Sequence, residues 1–480
     1  MFSLRGVAIV LVVVLLTLAA SPVRAGWVNP KVIGEGFAGS LAIDSSGSSH
    51  IAFFRLIGGN YNLVYVIYNL KGVRNPSIVT PLDGPSASPL TPFGGPAIAT
   101  DPNNLPHVAV AASSGTGANE LDYLTFDGKS TWTAVTVDTN LTPSTAFAGD
   151  HPPLIIDSSG DPHIAYAAAD GSLIHAFSTD GVTWQFDNSG VSVAPSSIQI
   201  GSGATVHIAG LNSSGQVCEE RDSSGSWAGE CFANGIAADP PSVAFSPDGT
   251  PEVAYASDPE TINIASFDGT SWPIQATLNI SSAYSLQNAA YLSFAIDSAG
   301  LAQIMFATPG DLQYGVQQGS SIVLTGLGGG SFSILDISMA LDSLGLPHAT
   351  FWVNPKAGQR QLYDALTLPD LSAQWLSVAS KIKSGKTAVT GKLQINNIGT
   401  ASAAGFTVDY YLSADSQLSS DDTLLAHAAV VDGPGQIKVL TFNSPPLAGS
   451  VSGEYIIASI NNNSQAEVST TNPTPAIQIP

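Results

Sequence analysis

One short segment recurs along this chain, and it constrains the fold more than any other feature, because repeated units must bury their apolar faces against one another. The stretch Leu41 to Phe53 (LAIDSSGSSHIAF) returns as Ile98 to Val110 (IATDPNNLPHVAV) and as Ile155 to Tyr166 (IIDSSGDPHIAY). Weaker copies centre on His207, Glu252, Gln303 and His348, so that steps between units run 57, 56, 44, 45, 51 and 45 residues. Seven units of that length bound the architectures open to residues 26 to 368.

Each unit has the same internal order. An apolar triplet and an Asp/Ser/Gly/Pro turn lead into a second apolar run, then a loop, a third run such as Leu173 to Phe177, and a hairpin signal ending in Trp. Asp127-Gly128 precedes Trp132, Asp180-Gly181 precedes Trp184, Asp222 precedes Trp227 and Asp268-Gly269 precedes Trp272. Asp-Gly favours tight hairpins because the turn needs positive φ at both central residues. A fourth run follows each Trp. Four strands at this period predict an all-β, seven-bladed β-propeller. Only 11% of residues are charged, and Gly (47) and Pro (31) are abundant, as blades covered on both faces and joined by tight turns require. The seventh unit lacks a fourth run, whereas Trp27 to Ile33 reads as a fourth run without the other three. The N-terminal segment is therefore expected to complete the last blade and leave the ring no free edge.

Ser178-Thr179-Asp180-Gly181-Val182-Thr183-Trp184 resembles the Asp-box, or bacterial neuraminidase repeat, although it lacks the residue between Asp and Gly. The resemblance implies a propeller and does not extend to sialidase activity. Those enzymes hold a carboxylate with an arginine cluster, and beyond the leader this chain has only Arg55, Arg74, Arg221 and Arg360.

The repeat stops at Pro369-Asp370-Leu371, and residues 369–480 read as six or seven strands of a small sandwich. This region resembles the CARDB family, the cell-adhesion-related domain found in bacteria. The resemblance is carried by Pro369-Asp370-Leu371, Gly385, Ile395 to Ala401, Val408 to Asp415, Asp421 to Leu425, Gly453 to Tyr455 and Asn472. It implies an immunoglobulin-like β-sandwich and a surface or adhesion setting. The end departs from the family, with Glu467 to Pro473 where an acidic Asn-Asn run is usual.

Residues 1–25 have the form of a secretory signal: Arg5, an apolar run from Gly6 to Ala20, and small residues at Val23 and Ala25. The run is shorter than the roughly 20 residues that span a bilayer, which argues against an uncleaved anchor, and no second such run follows. The expected locations are the cell surface, the periplasm or the medium, with no integral membrane segment after cleavage. The whole chain carries −22; without Arg5 and Arg24 it has 13 basic and 37 acidic residues, net −24. That charge works against nucleic acid as a partner. Cys218 and Cys231 flank a turn cluster and are expected to bridge one hairpin, the alternative being two buried thiols.

His recurs at one strand position, as His50, His107, His163, His207 and His348. Spread over five blades, these imidazoles cannot meet on one ion, so they read as structural partners of the turn. Asp44, Asp101, Asp157, Asp297 and Asp342 read as caps of the first hairpin. No catalytic residue, cofactor site or metal site is assigned. Ca²⁺ at Asp415, Asp421 and Asp422 is the one ion considered, and their spacing lacks the tight calcium-loop pattern. Ligand binding is expected on the propeller rim, at Tyr61, Asp150, His151, Asp258, Glu260 and Arg360, where the loops between strands two and three gather. The leading expectation is a non-catalytic protein binding an extracellular glycan or protein. The alternative is an exported glycosidase-like enzyme using rim carboxylates such as Asp258 and Glu260. A purely structural envelope protein is the third reading. Processing is directly checkable: N-terminal sequencing of exported protein should begin at Gly26, and a chain beginning at Met1 contradicts the signal assignment.

Overall fold

The computed structural model describes residues 31–480 except 70–71, 74–76, 82–89, 93, 115–118, 142–150, 238, 281–291, 309–310, 327–333, 344, 346, 357–358, 367–370, 398–402, 433–436 and 462–474. Regular structure in the described residues is strand, apart from one short 3-10 turn at Ser202–Ala204. No helix among them is long and apolar enough to cross a membrane. The signal segment, Trp27 and the boundary at 368/369 lie outside the described residues.

Seven antiparallel blades follow one another in chain order. Blade 1 begins with Phe37–Ile43, Ser49–Ile57 and Asn60–Asn69, and blade 2 contains Ala97–Thr100, Pro106–Ser114, Asn119–Phe126 and Trp132–Asp138. Blade 3 contains Leu154–Ile156, Pro162–Ala167 and Ser172–Phe177, and blade 4 contains Val206–Asn212, Gln216–Ser223 and Ser226–Asn234. The long strand Gln185–Ile200 is both the outer strand of blade 3 and the inner strand of blade 4, so the two blades form one seven-stranded sheet. That continuity is not signalled by the repeat, which reads there as two separate units. Blade 5 is Ser242–Phe245, Pro251–Asp258, Thr261–Ser266 and Ile274–Asn279; blade 6 is Ser293–Ile296, Ala302–Thr308, Asp311–Gln318 and Ser321–Gly326.

Blade 7 takes three strands from its own repeat, Ile334–Leu341, Pro347–Lys356 and Gln359–Leu366. Its fourth is the N-terminal Lys31–Glu35, which pairs antiparallel with Gln361 to Asp364. The expected closure is thus present over residues 31 to 35. Blade 7 packs on blade 1 as any blade packs on the next: Leu41, Ile51, Phe53, Val64 and Val66 form one apolar cluster with Ala340 and Trp352.

Two periodic contacts hold neighbouring blades in register. The first is a serine four residues before the turn on the inner strand, which accepts a backbone N–H from the next blade. Ile98 N–H donates to Ser40 Oγ (3.3 Å), Val243 to Ser197 (3.2 Å), Met339 to Ser293 (3.0 Å) and Leu41 to Ser338 (3.1 Å). The last of these closes the ring. The second is the Trp opening strand four, which packs edge-on against the strand-three Tyr of the preceding blade: Trp132 on Tyr65 at 5.3 Å and Trp184 on Tyr123 at 5.1 Å. Middle strands put Ala52, Ala109, Ala165, Ala209 and Ala254 at one fully buried position, where facing sheets leave no room for larger groups.

The Asp turns behave as expected. Asp44 Oδ1 accepts the amides of Ser46 and Ser48, Asp101 those of Asn103 and Leu105, Asp157 those of Ser159 and Asp161, and Asp297 those of Ala299 and Leu301. Cys218 and Cys231 stand opposite each other in blade 4 and are joined by a disulfide.

The C-terminal region is a sandwich of two four-stranded sheets, one built on Leu371–Lys383, Lys386–Asn397 and Ile437–Asn443, the other on Ala403–Ser413, Thr423–Asp432 and Tyr455–Asn461. Leu393, Ile395, Phe406, Val408, Tyr410, Phe442 and Ile456 fill the space between them, and Trp375 Nε1 donates to the Pro475 carbonyl at 3.0 Å. Asp415 Oδ1 and Asp422 Oδ2 are taken up by the amides of Gln417 and Ser419, so these acids cap a turn. Removing residues 26–35 should lower the melting temperature of the whole ring. Ser338→Ala should cost about 1 kcal/mol, the worth of one hydrogen bond. Calorimetry checks both, and an unchanged transition in the truncated chain contradicts closure by the N-terminal strand.

Candidate functional site

Antiparallel order puts the starts of the inner strands and the hairpins between strands two and three on one face of the ring, and the Asp turns on the other. The first face contains the channel mouth. Counting back six residues from the turn position in each repeat, the sequence reads Ala38, Gly95, His151, Pro195, Pro240, Tyr291 and Asp336. Four of the seven are small or are prolines and a fifth is the uncharged Tyr291, which makes His151 and Asp336 the exceptions in charge.

These two meet. His151 Nε2 lies 2.8 Å from Asp336 Oδ1, and His151 Nδ1 lies 2.8 Å from the Pro96 carbonyl. A ring with both nitrogens facing oxygen acceptors is satisfied as the imidazolium, donating from each. The imidazole crosses from blade 3 towards blade 7 over Gly95, where a Cβ would sit 2.4 Å from His151 Cε1. Glycine is needed there to let the ring pass. At the other end the inner strands of blades 1 and 7 are bulged, with Ala38 at φ 54° and Asp336 at φ 55°. Positive φ in a non-glycine residue stores strain, and at Asp336 it belongs to a carboxylate only 2% exposed. Asp239, beside the same column in blade 5, is also 2% exposed, and among the described residues neither of its oxygens has a hydrogen-bond partner. Burial pushes its carboxyl up to about 7.

The other expected rim residues are distributed differently. Tyr61 is half-buried and packs edge-on against Phe37 at 5.8 Å, within the cluster of Phe54 and Leu63, so it serves the blade core more than the rim. Asp258 and Glu260 share one exposed turn of blade 5, and Asp258 Oδ1 accepts the Glu260 amide at 2.8 Å. Asp150 lies outside the described residues; Arg360 is in the strand Gln359–Leu366, and its side chain is not among those described. Of the four whose side chains are described, Tyr61, His151, Asp258 and Glu260, the structure brings His151 into a charged site. Asp239 and Asp336 were not singled out by sequence reasoning, although the aligned column marks Asp336 as an outlier.

The repeated histidines sit on the opposite half of each blade and are structural. His50 Nε2 contacts Asp44 Oδ2 (3.1 Å) while its Nδ1 meets the Tyr65 hydroxyl (2.8 Å), and burial lowers its pKa. His107 joins Asp101 and Tyr123, and in blade 6 Gln303 takes the same place between Asp297 and Tyr314. Blades 3 and 4 depart from this scheme. His163 Nδ1 meets His175 Nε2 at 2.8 Å in place of a tyrosine, and His207 Nδ1 meets Glu219 Oε1 at 2.7 Å. Burial, then the neighbouring His175, push His163 down to about 4.

No family model matches the sequence, and no curated protein matches it. Solved structures of similar shape include a protein of unknown function from Dyadobacter fermentans (14% identity, 72% of this chain and 98% of that one, TM-score 0.43). The β-propeller domain of Swd1 from Myceliophteria thermophila is 12% identical over 69% of this chain and 98% of that one, TM-score 0.45. A mutant Aleuria aurantia lectin in complex with α-methyl-L-fucoside is 16% identical over 62% and 98%, TM-score 0.38. These scores are low, and the seven-bladed ring stands on its own strand pairing.

Asp239 yields a signed expectation. A carboxyl raised by folding holds its proton more tightly in the native state, so stability falls as pH climbs from the ordinary carboxylate range through about 7. The stability of Asp239→Asn relative to the parent should therefore improve between about pH 5 and about pH 8. Paired thermal melts check this, and a difference independent of pH contradicts it.

Proposed function

We propose that this is an exported, non-catalytic binding protein that takes a neutral glycan at the channel mouth closed by His151 and Asp336. The 369–480 sandwich serves as its spacer or attachment module. The observation that carries the reading is the charged His151–Asp336 pair at that mouth, its carboxylate buried on a strained backbone, at a ring position otherwise given mainly to small residues and prolines. Strain of this kind persists where the surroundings hold it, and it concentrates at ligand sites. Carboxylates at the mouth are hydrogen-bond acceptors suited to sugar hydroxyls, and the net charge of −22 disfavours polyanionic ligands. The Asp-box style of the Ser178–Trp184 turn and the CARDB-like pattern of the sandwich support an extracellular binding or adhesion setting.

Glycoside hydrolysis asks for two carboxyl groups flanking the scissile bond. Asp258 and Glu260 instead sit two residues apart on one exposed hairpin, with Asp258 engaged in its own turn. The binding reading is favoured for that reason. A glycan array followed by calorimetry on the hit provides the test. Saturable binding to an uncharged glycan is expected, weakened about tenfold or more by His151→Gln, the cost of one charge-assisted hydrogen bond. Absence of any glycan ligand, or an affinity indifferent to His151→Gln, overturns the proposal. So does release of reducing sugar from mixed polysaccharides that disappears in Glu260→Gln.

A further inference from the structure

The junction of blades 3 and 4 holds a second polar cluster, away from the channel mouth. His175 lies on the third strand of blade 3, directly opposite Asp187 on the strand the two blades share. Asp222 enters from the third strand of blade 4. One ligand atom from each lies within 4.8 Å of the others, and this is the group of three or more metal-ligating side chains found among the described residues. His175 and Asp222 are buried at 4% and 2% exposure, and Asp187 is partly open to solvent.

The cluster is more than the blade relay requires. In blades 1, 2 and 6 the corresponding third-strand residue is Tyr65, Tyr123 or Tyr314, whose hydroxyl meets the His or Gln of the second strand. Blade 3 has an imidazole there, and His175 Nδ1 already has an acceptor in Asp222 Oδ2 at 2.7 Å. Asp187 is then a second carboxylate, with an oxygen within 4.8 Å of one on the first. Two carboxylates this close repel each other unless a proton or a cation lies between them. The supporting contacts fit a cation. Asp222 Oδ1 is fixed by the Gly225 amide at 2.7 Å, and the far nitrogen of His175 meets His163 Nδ1 at 2.8 Å. With Nε2–H donated to His163, the Nδ1 that donates to Asp222 is the nitrogen facing both carboxylates, and it becomes a metal-facing lone pair once a cation displaces its proton, the arrangement found around metal-bound histidines.

We propose that His175, Asp187 and Asp222 bind one divalent transition-metal ion of the zinc class, which clamps blade 3 to blade 4. One imidazole nitrogen with two carboxylate oxygens suits a borderline ion. Calcium would want six to eight oxygen ligands, and three side chains, one of them an imidazole, do not supply them. Binding displaces the proton that His175 Nδ1 shares with Asp222 and leaves the Asp187 side for water. The site is independent of the glycan reading.

The test uses the untagged full-length chain, stripped with EDTA and titrated with Zn²⁺ alone, with Ca²⁺ and Mg²⁺ in parallel. One saturable Zn²⁺ per chain is expected, with release of protons, a raised melting temperature and an affinity at least about tenfold weaker in Asp187→Asn. Co²⁺ should give visible absorption bands that Asp187→Asn abolishes. Asp187 is partly exposed, so this variant keeps the test decisive even where His175→Gln fails to fold. Absence of saturable Zn²⁺ binding, undiminished binding in Asp187→Asn, or equal affinity for Ca²⁺ overturns the proposal.

Discussion

The ring depends on one pairing, between the first described strand and the last strand of the repeat. Lys31 to Glu35 supply the hydrogen bonds that the outer edge of blade 7 otherwise lacks, and the Leu41 amide to Ser338 Oγ joins blade 7 to blade 1 on the inside. These contacts add to the apolar packing of Leu41, Ile51 and Phe53 against Ala340 and Trp352 in fixing blade 7 beside blade 1. His151 of blade 3 reaches Asp336 of blade 7 only because closure brings that inner strand round to the far side of Gly95 and Ala38. The geometry of the mouth is therefore a consequence of ring closure, and the proposed glycan site inherits its rigidity from it.

The acid excess has two structural fates. Asp127, Asp180, Asp248 and Asp268 sit at exposed turns, where hydrogen bonds from backbone amides and neighbouring hydroxyls hold their carboxyl groups down to about 2. They fix the hairpins that join the strands. A smaller set is buried and pushed up: Asp122 to about 6, Glu220 and Asp239 to about 7. Those groups oppose folding at neutral pH, and Asp239 lies beside the channel mouth. The junction of blades 3 and 4 adds a third case, in which His175 stands between the relay of blade 3 and the carboxylate of blade 4.

The legible parts of this protein are the periodic ones. The turn Asp and the strand His recur six residues apart, and a Trp opening strand four follows 20 to 25 residues later, so blade number and closure can be read from spacing. The structural role of the histidines also follows, because a residue repeated once per blade serves the blade. The sandwich is legible from alternation and turn clusters. What escaped is set by contacts between repeats. Asp336 is one letter in an inner strand until the column of seven is aligned, and its partner is a loop residue 185 positions away. Tyr61 reads as rim because it follows a hairpin, but Phe37 and Phe54 draw its ring inwards. His175 and Asp222 belong to different units, and nothing within either unit announces the other. The shared strand Gln185–Ile200 escaped for a similar reason, since the repeat marks units and not whether one strand continues into the next.

Native-state hydrogen exchange tests the closure most directly. The account predicts that the interstrand amides of Lys31 to Glu35, of their partners Gln361 to Asp364, and of Leu41 exchange only through global unfolding of the ring. They should then share one opening free energy with the middle strands of blades 5 and 6. Exchange of the N-terminal strand and blade 7 orders of magnitude faster than the middle blades would show that the ring opens there on its own, and would contradict the account.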